Sequence, residues 1–443
     1  MNVVIERQKQ IPVVWEGDLC VLGGSATGVF AAVRAARLGL KVVLVEKQNC
    51  FGGTATSGLV DVWHSMYDFD RKDRIVAGLS QEVIDRIPED YKAISRDSNY
   101  FNPIAMVEQL DRLVLAEPNI HPLLHTFYAG CEVEDDAVAA VYIQNKDGRS
   151  ALRASMVIDA TGDGDLMRDI GVEAYRHEKL QPPSSCFFLK GNTTNELVSH
   201  LIKEHGQEFG LDDDWGWFAW IPGLRGMTFR ADFHVFDLDL SRAEDLTKAE
   251  FEGRRKAFAF EKLLKKYVSP EYSIVNLCSA IGIRETVHYR TRYCSTEKDL
   301  LEGARFDDAI LQGTYRVDIH HANDNGITFK DLNGQSLTLY GKSERAVRGN
   351  WRKEAGLDDN YSRFYQAPFS ILVQEKFKNV LLAGRMVNAE EGAFGALRVM
   401  LNTNQMGEAA GVGAYLAVTQ GKTVQQLEGR EVRKVLVQGG SAL

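Results

Sequence analysis

The stretch that most constrains this chain is "VLGGSATGVFAAVRAARLGLKVVLVEK", beginning at Val21. The apolar run Leu19 to Leu22 is short enough for a buried strand. Gly28 to Leu38 is alanine-rich and helix-prone, with Gly39 as its stop, and Val42 to Val45 reads as a second, parallel strand. Together they predict a βαβ unit whose first turn has the spacing of G-x-G-x-x-G, except that Ser25 stands where the middle glycine belongs. In that pattern Gly23 makes the tight turn, the middle position admits a pyrophosphate to the backbone, and Gly28 lets helix and strand pack closely. Ser25 costs about 1–2 kcal/mol if its φ must be positive, and its hydroxyl can donate to a phosphate oxygen. The helix N-terminus behind it offers free N–H groups to an anion. Glu46 ends the second strand, where an acid accepts from ribose hydroxyls and repels a 2′-phosphate, so NADP is disfavoured. One such unit does not separate NAD from FAD, and an NAD-binding module without flavin chemistry is the bland alternative.

The bulk numbers narrow the class. A chain of 443 residues, 44% hydrophobic and 26% charged, can bury a large core and is long enough for two domains. Its net charge of −9 argues against a sequence-independent grip on nucleic acid or anionic lipid. No apolar run approaches the roughly 18 residues of a membrane span, and the start has no signal-peptide layout, so the expected location is the cytoplasm. The six cysteines form no C-x-x-C pair, which gives no support to a thiol-disulfide motif or a zinc knuckle.

Three further glycine-rich places follow. "CFGGTATSG" from Cys50 lets a flat ligand lie against bare backbone, and "MVIDATGDGDL" from Met156 is a strand breaking into small residues. "NVLLAGRMVNAEEGAFGALRVMLNTNQMGEAAGVGAYLAV" from Asn379 reads as a strand, a loop and a long helix ending near Gly421. A helix start around Arg398 to Met400 would turn its positive end toward developing negative charge, while "GEAAGVGA" equally suits close core packing.

With these motifs, in this order, the sequence resembles the FAD-dependent oxidoreductase family, within the glutathione-reductase-like group of Rossmann flavoproteins. "RETVHYRTRY", "ARFDDAILQGTYRVDIH" and "YQAPFSILV" extend the resemblance over most of the chain. It implies an α/β fold: a Rossmann-like FAD-binding domain with a central parallel sheet and a small antiparallel β meander, interrupted by an inserted α+β substrate domain. The implied bounds are 1–170 and 360–443 for the FAD-binding domain and 171–359 for the insertion. FAD is implied in extended form. Its pyrophosphate would lie at Gly23, Gly24, Ser25, Ala26, Thr27 and Gly28, and its ribose at Glu46 and Lys47. Its flavin end would follow Gly52, Gly53, Thr54 and Ala55. Ala160, Thr161 and Gly162 would close the adenine side, and Gly384, Arg385, Arg398, Val399 and Met400 would approach the ring. No family cysteine pair is present, so disulfide reduction is not implied.

Within the first part, the stretch from Asn102 is helix-like, and Cys131 to Ala160 alternates like a meander turning at Asp147 and Gly148. In the insertion Thr247 and Glu250 form a capping-box pattern ahead of Phe260, Leu263, Leu264 and Tyr267 at helical spacing. Arg254, Arg255, Lys256, Lys262, Lys265 and Lys266 on the same stretch read as a solvated face. Trp215, Trp217 and Trp220 suit either an aromatic wall for substrate or a core or subunit contact, so self-association stays open.

The flavin would exchange the hydride, leaving the protein to position a small-molecule substrate and move a proton; no metal ligand is called for. Histidine is the usual base for such a step. His320, after "TYRVDI", is the first candidate, and His64, after the flavin-side loop, the second; either can instead be structural. Arg398 and Arg284 are candidates to stabilise a reduced flavin or hold a carboxylate. The reading is hydride exchange between FAD and a small organic substrate. Its rivals are a carbon–carbon double-bond reductase, in which an arginine supplies the proton, and an electron-transferring subunit of a larger complex.

Overall fold

The computed structural model describes residues 3–4, 9–211, 217–231, 233–323, 325–340 and 346–443. Strand β1 (Val13–Leu22) leads into helix α1 (Ala26–Arg37), which returns to β2 (Val42–Val45), so the opening stretch is a βαβ unit. β1 begins earlier than the apolar run alone indicates, because its outer half pairs with a later strand. The chain then adds β3 (Ile120–Leu123), β4 (Phe127–Glu134), β5 (Ala137–Asn145) and β6 (Gly148–Asp159). A long insertion, including β7 (Val317–His320), precedes β8 (Val380–Leu382).

The central sheet runs β3-β2-β1-β6-β5-β4, with β8 also on β6. β3, β2, β1, β6 and β8 are parallel, while β4, β5 and β6 form the antiparallel meander, with Asn145 opposite Gly148 at its turn. β1 and β2 are buried on both faces where they lie side by side, which is why Leu19 to Leu22 and Val42 to Val45 read as continuous apolar runs. Register fixes the site. Leu22 pairs with Val45 and with Asp159, and Asp159 pairs with Leu382, so four parallel strands end at one edge. Ligands in open α/β sheets bind at that carboxyl edge.

Within the insertion, strands at 187–190, 218–220, 227–230 and 273–277 form an antiparallel sheet. Helix α2 (Ala243–Tyr267) buries Ala257, Phe260, Leu263 and Leu264 in one cluster with Phe187 and Leu189 of that sheet. The capping box expected at Thr247 is not a helix start. α2 begins at Ala243, and Thr247 returns its hydroxyl to Ala243 O at 2.7 Å, the back-bond of a mid-helix threonine. The basic residues of α2 are ion-paired or exposed apart from Lys256, which is buried and donates to His234 O. Trp217 packs edge-on against Phe229, a core contact, and Trp220 is exposed; Trp215 lies outside the described residues. β7 is the edge of a second antiparallel sheet, continued by strands at 327–330, 335–339 and 346–350.

After β8 the chain forms a short helix α3 (Glu391–Leu397), not apparent from the sequence, then α4 (Met400–Gln420), which ends at Gly421 in the left-handed conformation. α4 packs along α1 at backbone distance: a Cβ on Gly407 would lie 2.0 Å from Thr27 O, and one on Gly411 2.4 Å from Ala31 O. Both contacts advance by one turn together, so the helices are parallel. α4 therefore starts two turns, about 10 Å, before its contact with Thr27. Buried Arg34 and Glu408 lock the pair through a two-pronged hydrogen bond, Nη2 at 2.5 Å and Nε at 3.1 Å. Glu408 also accepts from Leu79 N, and Arg34 donates to Gly439 O. No described helix is long and apolar enough to cross a membrane.

Removing one partner of a buried pair strands the other charge, at about 3–5 kcal/mol. Glu408→Ala is expected to lower unfolding free energy by that amount in denaturant titration, and a loss below about 1 kcal/mol would show that the pair is not essential to the α1–α4 contact.

Candidate functional site

The first wall of the site is the turn after β1. Gly23 has φ 97° and no room for a Cβ, which would lie 2.3 Å from Ala160 O. On Gly28 a Cβ would meet Gly23 O at 1.8 Å, so both positions require glycine for different reasons. Ser25 has φ −59°, which removes the backbone cost of replacing the middle glycine. It is the N-cap of α1 but makes no side-chain cap bond, leaving its hydroxyl and the first helical N–H groups without that mutual satisfaction. The Cys50–Gly58 loop closes against this turn: Gly52 N donates to Gly24 O, and a Cβ on Gly53 would touch Ser25.

Glu46 is buried at the end of β2, accepting from Gly24 N at 2.6 Å and Gln48 N at 2.7 Å. Each carboxylate oxygen keeps a second lone pair for a hydroxyl donor, and Lys47 beside it is exposed. After β6, "DATGDGDL" folds around Asp159, which accepts from Thr161 N, Thr161 Oγ1, Leu166 N and Met167 N. Burial pushes this carboxyl up to about 6, against those donors. Arg385 lies against Gly162 and is engaged by Asp163 at 2.5 Å and Thr286 at 2.8 Å. Gly384 has φ 119°, and a Cβ there would meet nothing within 4 Å, so its face is open at the strand edge. Val399 is the N-cap of α4 and supplies no side-chain cap. Asn404, wholly buried one turn farther on, has neither amide atom satisfied by the described residues. Two uncapped helix starts, a buried acid at a strand end and an orphaned amide fit an anionic dinucleotide bearing a polar ring.

The second wall is a polar cluster around Asp318 on β7. Tyr315 donates to Asp318 Oδ2 at 2.6 Å, and Arg398 Nη2 lies 3.2 Å from Asp318 O and 3.5 Å from its carboxylate. His320 Nε2 lies 3.4 Å from Asp318 Oδ1, and its Nδ1 shares a hydrogen with His234 Nε2 at 2.8 Å. His64 stacks on Tyr315 with ring centroids 4.0 Å apart. Arg284 donates to Pro182 O and Ser184 Oγ. Gln181 receives the His320 N–H on its side-chain oxygen. Burial, with the Arg284 guanidinium next, holds His320 well below the usual imidazole range. Burial also lowers His64 to about 4, despite the nearby Asp318 carboxylate. Tyr315 is pushed far up by burial and then by Asp318. At neutral pH His64 and His320 are thus neutral imidazoles and Tyr315 a phenol, gathered about Asp318 and Arg398.

His64, His320 and Arg398 come together around Asp318, and Arg284 lies close enough to act on His320 electrostatically. Asp318, Tyr315 and His234 were missed. Asp318 was legible: two residues before His320 on a strand, it shares that histidine's face. His234 and Tyr315 carry no local signal, since tertiary contact alone brings them in. Arg385 is committed to Asp163 and Thr286, so its guanidinium braces the "TGDGD" loop.

A family model described as FAD dependent oxidoreductase matches residues 18–436. Mitochondrial dihydrolipoyl dehydrogenase of Schizosaccharomyces pombe is 56% identical over 39 residues, which cover 9% of this chain and 8% of that protein's length. Among solved structures, a geranylgeranyl bacteriochlorophyll reductase-like protein from Thermoplasma acidophilum superposes with a TM-score of 0.47 and 12% identity, covering 96% of this chain and 84% of that one. A p-nitrophenol 4-monooxygenase from Pseudomonas putida gives 0.41 and 12%, with the same coverage.

A histidine whose folded pKa lies below its unfolded value of about 6.5 adds stability above that pH and loses it as pH falls toward the folded value. Between pH 7 and pH 5 the lowered His64 is expected to remove about 1–2 kcal/mol. Denaturant midpoints of the parent protein and His64→Gln at both pH values test this: the variant is expected to lose less on acidification, and equal losses would contradict it.

Proposed function

The chain belongs to the FAD-dependent oxidoreductase family, and from that premise we propose that it exchanges a hydride between FAD and a small organic substrate. An oxidoreductase role and the FAD cofactor follow from family membership. The observation that supports the finer reading is the Asp318 cluster, which places proton-holding groups on β7 beside the start of α4. The glutathione-reductase-like path for the cofactor, from the Gly23–Gly28 turn with its ribose at Glu46 to the loop at Gly52–Ala55, belongs to the same proposal.

When bound, FAD supplies the hydride acceptor or donor. The remaining work falls to the chain. The turn at Gly23 and the start of α1 would hold the pyrophosphate on backbone N–H groups. Arg398 and the N-terminus of α4 place positive potential where negative charge develops. His320, neutral at working pH, accepts the substrate proton at one ring nitrogen, and Asp318, 3.4 Å from its Nε2, stabilises the resulting imidazolium. Tyr315, donating to the same carboxylate, and His64, stacked on Tyr315, hold that geometry and limit water. A carbon–carbon double-bond reductase is the second reading, favoured by Arg398, whose Nε is buried without an acceptor among the described residues.

Purified protein is expected to be yellow and to release FAD on heating; no flavin absorbance, and none after reconstitution, would reject the reading. With FAD in place, an anaerobic panel of small alcohols, amines and hydroxy acids is screened for bleaching. His320→Gln is expected to slow the bleaching reaction by about 10²–10⁴ with FAD content unchanged. An undiminished rate would transfer the proton step to Arg398.

A further inference from the structure

Against Phe394 of α3 is a second cluster, whose three ligand residues are none of those just assigned. His177, Glu285 and His288 each turn one ligand atom inward, and these atoms all lie within 4.8 Å of one another. We propose that they bind one divalent transition-metal ion of the zinc class.

The argument starts from hydrogen bonding. His177 Nε2 lies 3.0 Å from Ala389 O, and His288 Nδ1 lies 2.9 Å from Val387 O. A carbonyl only accepts, so each of these nitrogens carries the hydrogen. In a neutral ring the other nitrogen is then a bare lone pair. Those two lone pairs, on His177 Nδ1 and His288 Nε2, face the same oxygen, Glu285 Oε1, at 2.5 and 3.0 Å. The other carboxylate oxygen is held by Gln181 N at 2.9 Å, which fixes Oε1 in place. Three electron-rich atoms converging in a buried place repel one another unless a proton or a metal ion lies among them, and a single ion reaches all three at once.

The surroundings suit a metal ion. Histidines that ligate metals donate their outer N–H to carbonyls or carboxylates, which fixes tautomer and ring orientation. Here both carbonyls come from one short segment, Val387 to Ala389, so a single piece of chain sets both rings. Tyr175 stacks on His288 and Phe394 meets it edge-on, which keeps that ring from turning away. Two imidazoles and a carboxylate suit Zn²⁺, Mn²⁺ or Fe²⁺, and three protein ligands leave a fourth position for water or a ligand. Ligand bonds of about 2.0–2.2 Å place donor atoms roughly 3.0–3.5 Å apart. His288 and Glu285 already stand at the lower end of that spacing, and His177, whose side chain is 12% exposed, must turn off Glu285 to bring its Nδ1, which lies within 4.8 Å of His288 Nε2, to the same spacing. Reading the sequence for flavin chemistry called for no metal; this site stands apart from that chemistry and does not rest on the proposed reaction.

The test uses the full-length protein after treatment with a chelator and removal of the chelator. Calorimetry with Zn²⁺ is expected to show one site per chain, mass spectrometry of the dialysed complex one zinc per chain, and the thermal midpoint is expected to rise with the metal. His288→Gln and His177→Gln are each expected to weaken Zn²⁺ binding at least tenfold. Absence of binding by Zn²⁺, Mn²⁺ and Fe²⁺ to the parent protein would overturn the proposal, whatever the variants do. So would nitrogen-15 spectra showing both rings as imidazolium in the metal-treated protein, which would mean that protons occupy the place of the ion.

Discussion

The close parallel contact between α1 and α4 is the constraint on which the site depends. Gly407 and Gly411 set one helix against the backbone of the other, and the Arg34–Glu408 pair fixes their relative position. Because α4 starts two turns before that contact, its N-terminus is carried beyond that of α1, toward the segment between α3 and β7. Gly395 of α3 completes the placement: a Cβ there would lie 2.7 Å from Asp318 O. The packing of one helix pair thus sets the glycine turn after β1 and the Asp318 cluster relative to one another. The long small-residue stretch from Gly407 is core packing, with its glycines against the backbone of α1.

The fingerprint with a serine has a simple physical resolution. A middle glycine is obligatory only where the backbone needs a left-handed conformation or where any side chain would collide. Ser25 meets neither condition, whereas Gly23 and Gly28 meet one or both. The motif therefore keeps glycine where geometry enforces it and relaxes where it does not. Asp159 makes the corresponding point in the second glycine-rich loop. The visible pattern there is of small residues, but the loop's shape comes from one buried carboxylate collecting donors from Thr161, Leu166 and Met167.

Much of the architecture could be read from the residues because it rests on local periodicity. The βαβ unit, the meander turning at Asp147 and Gly148, the helix capped by Asn102 and the stop at Gly421 all have near-neighbour causes. The failures have a common origin as well. Thr247 and Glu250 have the spacing of a cap but lie inside a helix, since a threonine can bond back to the preceding turn as readily as it can start one. α3 is hard to read because it is only seven residues long and carries two glycines, too short for its helix formers to give a sustained pattern. In the site, His64, His320, Arg398 and Arg284 are candidates singly, by the motifs they follow, whereas Asp318, around which the first three gather, stands out only once β7 is in place. His234 reaches His320 across two sheets, and no spacing rule along a chain reports such a contact.

Almost the whole polypeptide separates Thr27 from Gly407, and this has a consequence for assembly. During synthesis α1 is made long before α4, and its face at Thr27 and Ala31 is uncovered until then. That surface stays wet until α4 is made. A product lacking α4 would keep it exposed and be prone to stick to other chains.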